Sequence, residues 1–281
     1  TFCIFILPRF AEAGLITKAP SYLGLTQGLV GYWSFNGPDM SGNTATDRSG
    51  QGNNGTLTNG PKRGIGRLGQ ALDFDGVNDY MVIANESNFD FERTNAFSIS
   101  FWTKVNAADT TIQVPISKQA DVGPYNGWSL VTNWNGSAAD PGKLAVQLWS
   151  PSGPKITVAT GNDTSINDSN WHHYVFAYTG SSAASGVSFY EDGVSLSTNI
   201  VQDNLIDSIV NNANVGIGAR SDGAPTNGEF WNGLIDEVRI YNRALTEQEI
   251  KRLYNIGSTL KVNKTRKDTL TEGLVGHWSF D

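Results

Sequence analysis

The sequence predicts an all-β protein, an antiparallel sandwich of two sheets closed by one short C-terminal helix. Three observations carry that expectation. Apolar residues alternate with a period near two in some fourteen short stretches, the spacing of half-buried strands. Turn chemistry separates the stretches: 31 of the 281 residues are Gly, with many Asn, Ser and Thr beside them, and these residues favour tight reversals. No βαβ alternation runs through the span, which leaves antiparallel sheets sharing their inward residues as a core. Eight Trp and thirteen Phe are more aromatic surface than a disordered chain carries.

The first strand, 29–35, lies in Gly28-Leu29-Val30-Gly31-Tyr32-Trp33-Ser34-Phe35-Asn36. Strands follow at 55–58, 71–74, 80–84, 97–105, 113–117 and 128–134, then at 144–149, 156–159, 172–178, 187–190, 194–197, 215–218 and 234–241. In 97–105, Phe97, Ile99, Phe101 and Val105 form one face. Ser98, Ser100, Trp102 and Lys104 form the other, a polar face with one Trp that is expected to be half covered. Asp75-Gly76 and Asp192-Gly193 tolerate positive φ at low steric cost, so each predicts a tight hairpin or a bulge. Helical signal comes once. Thr246-Glu247-Gln248-Glu249 has the capping-box pattern, Leu245 and Ile250 are spaced as a hydrophobic staple, and Ile250, Leu253 and Tyr254 share a face. Gly257 is placed to end that helix.

The opening stretch occurs twice. Gly273-Leu274-Val275-Gly276-His277-Trp278-Ser279-Phe280-Asp281 begins 245 residues after Gly28 and matches it at seven of nine positions. That offset is the length of a domain and not of a solenoid repeat. The expected organisation is one domain over 28–257 after a lead-in at 14–27, a polar and basic linker at 258–272, and the first strand of a second copy at 273–281. Further copies of the same domain in a longer chain are the expected covalent neighbours. Residues 1–13 read as the tail of a secretory signal: an apolar run too short to span a bilayer, then Ala11-Glu12-Ala13, a small-x-small cleavage pattern. A buried first strand is the alternative. Cleavage after Ala13 would remove Cys3, the only cysteine, so a secreted or cell-surface protein without disulfides is expected. A net charge of −7 argues against a nucleic-acid partner, and no span predicts membrane insertion.

Several stretches resemble the laminin-G-like jelly roll of the concanavalin A-like lectin/glucanase superfamily, in the version common in bacterial surface proteins. They are the opening strand and Asp47-Arg48-Ser49-Gly50-Gln51-Gly52-Asn53-Asn54-Gly55, then Gly69-Gln70-Ala71-Leu72-Asp73-Phe74-Asp75-Gly76-Val77-Asn78-Asp79-Tyr80. Trp171-His172-His173-Tyr174-Val175, Tyr190-Glu191-Asp192-Gly193 and Gly233-Leu234-Ile235-Asp236-Glu237-Val238-Arg239-Ile240-Tyr241 follow in the same order. The resemblance covers 28–257 and implies a two-sheet jelly-roll sandwich. It also implies a structural calcium ion held by Asp236 with oxygens near the first strand, Asn36 and the Gly69 carbonyl.

Some members of that superfamily are glycosidases, which need two carboxylates about 5–5.5 Å apart for retention. No Glu-x-Asp-x-Glu-like array exists here, so a carboxylate pair is not expected to act. His172 and His173 are consecutive on a strand and point to opposite faces, which excludes joint chelation of one metal. Calcium is the cofactor whose chemistry the residues best match, because hard cations take loop oxygens. Asp47-x-Ser49-x-Gln51-x-Asn53 alternates oxygen-bearing side chains, which makes Asp47 and Asn53 candidate ligands. Asp236 sits in an apolar strand and needs a cation or a donor partner, Arg239 being the alternative. For a glycan, Gln147 and Trp149 fall on one strand face and form a candidate sugar-stacking pair; Tyr125 and Asn126 lie in a loop next to Trp128, and Trp231 lies in another with Asn227. The expected function is a non-catalytic binding or adhesion module with a glycan or cell-surface ligand. A structural spacer, a protein–protein module and an accessory domain of a polysaccharide hydrolase are the alternatives.

Overall fold

The computed structural model describes residues 24–106, 110–120, 123, 125–134, 139–153, 155–220 and 229–258. The expected signal segment 1–13 and second copy 273–281 lie outside the described residues, as do most of 14–27 and of the linker. All fourteen predicted strands are present, with four more. The eight-stranded sheet contains β1 (Leu29–Trp33), β5 (Lys62–Ile65), β6 (Gln70–Asp75), β8 (Phe97–Val105), β13 (His172–Tyr178), β14 (Val187–Glu191), β15 (Val194–Ser195) and β18 (Asn232–Tyr241). The ten-stranded sheet contains β2 (Met40–Ser41), β3 (Thr44–Ala45), β4 (Gly55–Thr58), β7 (Tyr80–Ile83) and β9 (Gln113–Gln119). Its remaining strands are β10 (Gly127–Trp134), β11 (Ala139–Trp149), β12 (Lys155–Thr160), β16 (Thr198–Asp203) and β17 (Val215–Ile217).

Every ladder is antiparallel, and the strand orders are β15-β14-β13-β8-β18-β6-β5 and β16-β12-β11-β10-β9-β17-β7-β4-β3-β2. One core joins the two sheets: Ile99, Phe101 and Phe176 meet Leu130, Val146 and Val158. The four strands that the pattern missed are β2, β3, β5 and β16. They are short or edge strands with exposed residues, so a core-facing alternation has no reason to appear in them.

β1 shows why its motif carries glycine. The Trp33 indole folds back over Gly31, where a Cβ would lie 2.3 Å from the ring, and Trp33 Nε1 donates to the Asn53 carbonyl at 2.9 Å. β18 runs the length of the first sheet. Its N-terminal half pairs with β6 and its C-terminal half with β1. Between them the register shifts at a bulge, with Glu237 at φ +54°. Ile235, Val238 and Ile240 therefore face the core, while Asp236 and Glu237 both turn to the outer side.

α1 (Glu247–Ser258) packs on that outer side. The capping box is formed: Thr246 N–H donates to Glu249 Oε2 at 2.9 Å, and Glu249 N–H donates to Thr246 Oγ1 at 3.4 Å. Leu245 and Ile250 are buried together as the staple requires. The helix continues to Ser258, so Gly257 lies inside it and does not end it. Tyr254 stacks on Trp102, with centroids 5.6 Å apart, and Ser98, Ser100 and Trp102 are fully buried. The polar face expected to be half covered is closed over Ser98, Ser100 and Trp102, with Lys104 partly exposed at its end. Asp192-Gly193 makes the predicted two-residue hairpin, both residues at positive φ. Asp75-Gly76 instead turns a corner, because β6 and β7 belong to different sheets. Among the described residues no helix is long and apolar enough to cross a membrane.

Candidate functional site

The outer face of the ten-stranded sheet carries a row of polar side chains across adjacent strands. Ser117, Ser129, Gln147, Thr157 and Gln202 follow one another through the registers of β9, β10, β11, β12 and β16. Gln147 is 1% exposed, and neither its Oε1 nor its Nε2 has a partner. Thr157 Oγ1 and Trp149 Nε1 are likewise buried without one. Buried polar groups are nearly always paired by protein or ordered water, so the unpartnered atoms of Gln147, Thr157 and Trp149 set this row apart from a protein interior. At one end of it lies a pocket of about 90 Å³ lined by Gln119, Tyr125, Trp134, Gln147, Trp149 and Arg220. The Tyr125 ring meets Trp149 edge-on, centroids 6.1 Å apart, and Lys155 Nζ sits 3.9 Å above the other ring system, at the Trp149 centroid. Arg220 is held by Glu229 and Gln119.

The structure brings three of the five predicted ligand-contacting residues together here and not the others. Gln147, Trp149 and Tyr125 line the pocket. Asn126 instead fastens its loop, donating from Nδ2 to the Val210 carbonyl at 2.8 Å. Trp231 is fully buried in the core between the sheets, so its ring is no surface platform. That expectation is corrected: the residue opens the approach to β18 and is pulled inward with it. Trp134, Gln119, Arg220 and Lys155 were not legible beforehand. Their partners lie across turns and on neighbouring strands, where the pairing depends on register and on loop path that no local pattern marks.

A second cluster lies at the β18 bulge, where the end of β1 and the start of β6 meet. Asp236 is 0% exposed. Its Oδ2 accepts from Leu68 N–H at 2.9 Å, while Oδ1 has no partner. Burial pushes the carboxyl up to about 8. Asn36 Oδ1 accepts from Gln70 N–H at 2.9 Å, and the Gln70 Oε1 is buried without a partner. Gly69 has φ +71°, and a Cβ there would lie 1.9 Å from Asn36 Oδ1, so only glycine lets this turn close on the amide. The orphaned oxygens of Asp236 and Gln70 make a donor set of the hard-cation kind, one carboxylate with amide and carbonyl oxygens. Among the described residues no three His, Cys, Asp or Glu side chains form a metal-holding group. Arg239 does not pair with Asp236; it pairs with Glu237 at 2.5 Å and lies over the Tyr32 ring.

Asp47 and Asn53 stand elsewhere, and their expected metal role is corrected. Asp47 Oδ1 accepts from the Tyr32 and Ser49 N–H groups, and Oδ2 from Asn53 N–H and Ser49 Oγ. Asn53 is spent on Val30 and Asn88. Four donors fill the lone pairs of this carboxylate, and the alternating oxygens turn out to brace the 47–53 loop against β1.

His172 and His173 point to opposite faces, as their adjacency requires. His173 is buried against Ser100 Oγ at 2.9 Å and the Trp102 ring; burial, with Arg239 nearby, lowers it to about 3. His172 bridges Asp192 at 3.0 Å and Asp168 at 2.9 Å, and the Asp192 hydrogen bond leads the causes that raise it to about 9.

A family model described as the concanavalin A-like lectin/glucanases superfamily matches residues 74–251. The chain belongs to this superfamily. Two antiparallel sheets, with one short α-helix among the described residues, agree with that membership. Among solved structures, the binding domain of a Paraclostridial mosquitocidal protein is similar at 19% identity and a TM-score of 0.63, covering 83% of this chain. This chain spans 53% of that one, about half its length. Domain 4 of AbnA, an extracellular arabinanase of Geobacillus stearothermophilus solved with arabinotriose, is similar at 23% identity and a TM-score of 0.55. There the likeness covers 80% of this chain and 98% of the other. The receptor binding domain of botulinum neurotoxin D is similar at 13% identity and a TM-score of 0.58, over 82% of this chain and 53% of that one. At these identities the likeness is one of fold. No curated protein sequence matches.

Proposed function

We propose that this chain is a non-catalytic binding module, secreted or displayed at a cell surface, whose ligand is a carbohydrate. The observation that carries the reading is Gln147: a buried amide with both ends unpartnered, lining a pocket walled by Tyr125, Trp134 and Trp149. Sugars present hydroxyls that give and accept hydrogen bonds and C–H faces that pack on aromatic rings, which is what an amide among aromatics receives. Among the described residues the pocket lining holds no carboxylate, and hydrolysis of a glycoside calls for two. That supports binding without catalysis, and with it a role in adhesion.

A structural calcium ion completes the proposal. Asp236, Asn36 and the Gly69 carbonyl would hold it, with Gln70 Oε1 beside them; the ion would supply the positive charge that Asp236 lacks. Melting the protein in calcium and again in EGTA tests this, with a lower Tm expected in EGTA.

A glycan array probed with the full chain in calcium tests the ligand class. Hits that disappear in Gln147→Ala, with its Tm retained, are expected. No hit at all would overturn the reading in favour of a spacer or protein–protein module. The likeness that runs along nearly all of domain 4 of the arabinanase favours one second reading, an accessory domain of a polysaccharide hydrolase. A hydrolase domain in the same coding sequence would establish it.

A further inference from the structure

We propose that the outer-face pocket selects a glycan bearing a carboxylate, and that Lys155 is the residue that selects it. The inference rests on the reading of that pocket as a glycan site and names the chemical class of its ligand.

Lys155 opens β12 and pairs in register with Trp149 of β11, so both side chains stand on the outer face with Gln147 and Thr157. Its ammonium lies on the Trp149 ring. Three buried cations are neutralised by protein carboxylates, Arg220 by Glu229, Lys118 by Glu86 and Asp90, and Arg239 by Glu237, and Lys143 donates to the Gly161 and Thr164 carbonyls. Lys155 Nζ has no carboxylate beside it among the described residues, and burial alone moves its titration, downward. An ammonium whose charge is disfavoured by partial burial gains most from an anion brought by a ligand.

The neighbouring groups ask for the same thing. The Trp149 indole N–H and the Gln147 Nε2 are donors without acceptors. A carboxylate is acceptor-only and has room for several donors at once, so one sugar acid could receive the ammonium together with the indole or amide N–H. A neutral sugar satisfies the amide through its hydroxyls but leaves Lys155 uncompensated. Charge-assisted hydrogen bonds are about twice as strong as neutral ones, enough for a difference of about tenfold in Kd.

Two acid/neutral pairs test this by calorimetry on the full chain: trigalacturonate against its methyl ester, and 3′-sialyllactose against lactose. The acidic member of one pair should bind at least about tenfold more tightly than its neutral partner, and which pair responds distinguishes uronic from sialic acids. Lys155→Gln should bring that ratio to about one, whereas Lys155→Arg should retain the preference; an unchanged Tm certifies both variants. Equal binding within both pairs, a preference that survives Lys155→Gln, or no binding of the four while the array returns neutral hits would each overturn the inference and leave the glycan reading standing. An array without any hit overturns both.

Discussion

At the scale of single residues, the chain sets two titratable groups against their ordinary chemistry. Asp236 is the first. Its folded carboxyl is raised to about 8 by burial, above the unfolded value, so ionising it costs the metal-free fold stability. That cost grows as pH rises from about 4 to about 8 and is constant above. Asp236→Asn removes it. In EGTA at pH 8 this variant should melt at least ~3 °C above wild type, the size of about 1 kcal/mol in a domain of this length. It should also lose any response to calcium; a variant that melts lower in EGTA, or that still responds to calcium, would refute the cradle. His172 is the second. Held charged by Asp192 and then Asp168, it titrates near 9, above its unfolded value. Its contribution is complete below about 6.5 and is lost as pH rises through 9. His172→Gln should therefore lower Tm at pH 6 and converge on wild type at pH 10. A constant gap across that range would show the loss to be one of packing.

At the scale of elements, a bulge, a brace and a cap do separate jobs. The bulge in β18 breaks strict alternation so that Asp236 and Glu237 share the outer side, and the sequence carries no sign of it: Ile235-Asp236-Glu237-Val238 reads as an ordinary strand. The Asp47 loop was legible as oxygen-rich, but composition does not say whether such oxygens take a cation or backbone donors. Its four accepted hydrogen bonds answer that. Asp47→Ala should cost about 2–4 kcal/mol, since it orphans several buried donors, and should leave the calcium-dependent shift in Tm as large as in wild type. The cap of α1 was fully legible because its partners are three residues apart. Thr246→Ala should cost about 1 kcal/mol, read as a fall of roughly 2–4 °C in Tm.

At the scale of the molecule, the two sheets share their main core, and only smaller clusters lie on their outer sides. Phe97, Ile99 and Phe101 of one sheet pack with Trp128, Leu130 and Val146 of the other, so neither face survives alone. Far-ultraviolet circular dichroism and tryptophan fluorescence should report one coincident melting transition; separate midpoints would mean that the sheets unfold independently. The molecule also divides its labour by face. The inner faces make the core, the outer face of the eight-stranded sheet carries the helix and the Asp236 cluster, and the outer face of the ten-stranded sheet carries the pocket.

What the sequence determined by itself is local or periodic: fourteen strands, the Asp192-Gly193 hairpin, the capped helix, the opposed histidines, and the pairing of Gln147 with Trp149 on one strand face. Each follows from backbone geometry over a few residues, so the spacing of side chains is enough. Only the tertiary structure decided which strands are neighbours. That set Trp149 beside Tyr125 and Lys155, sent Trp231 into the core, gave Arg239 to Glu237 instead of Asp236, and brought Asn36 and Gly69 together. These depend on strand register, on the β18 bulge and on contacts up to tens of positions apart, which are set by packing two sheets around a common core and leave no periodic trace along the chain.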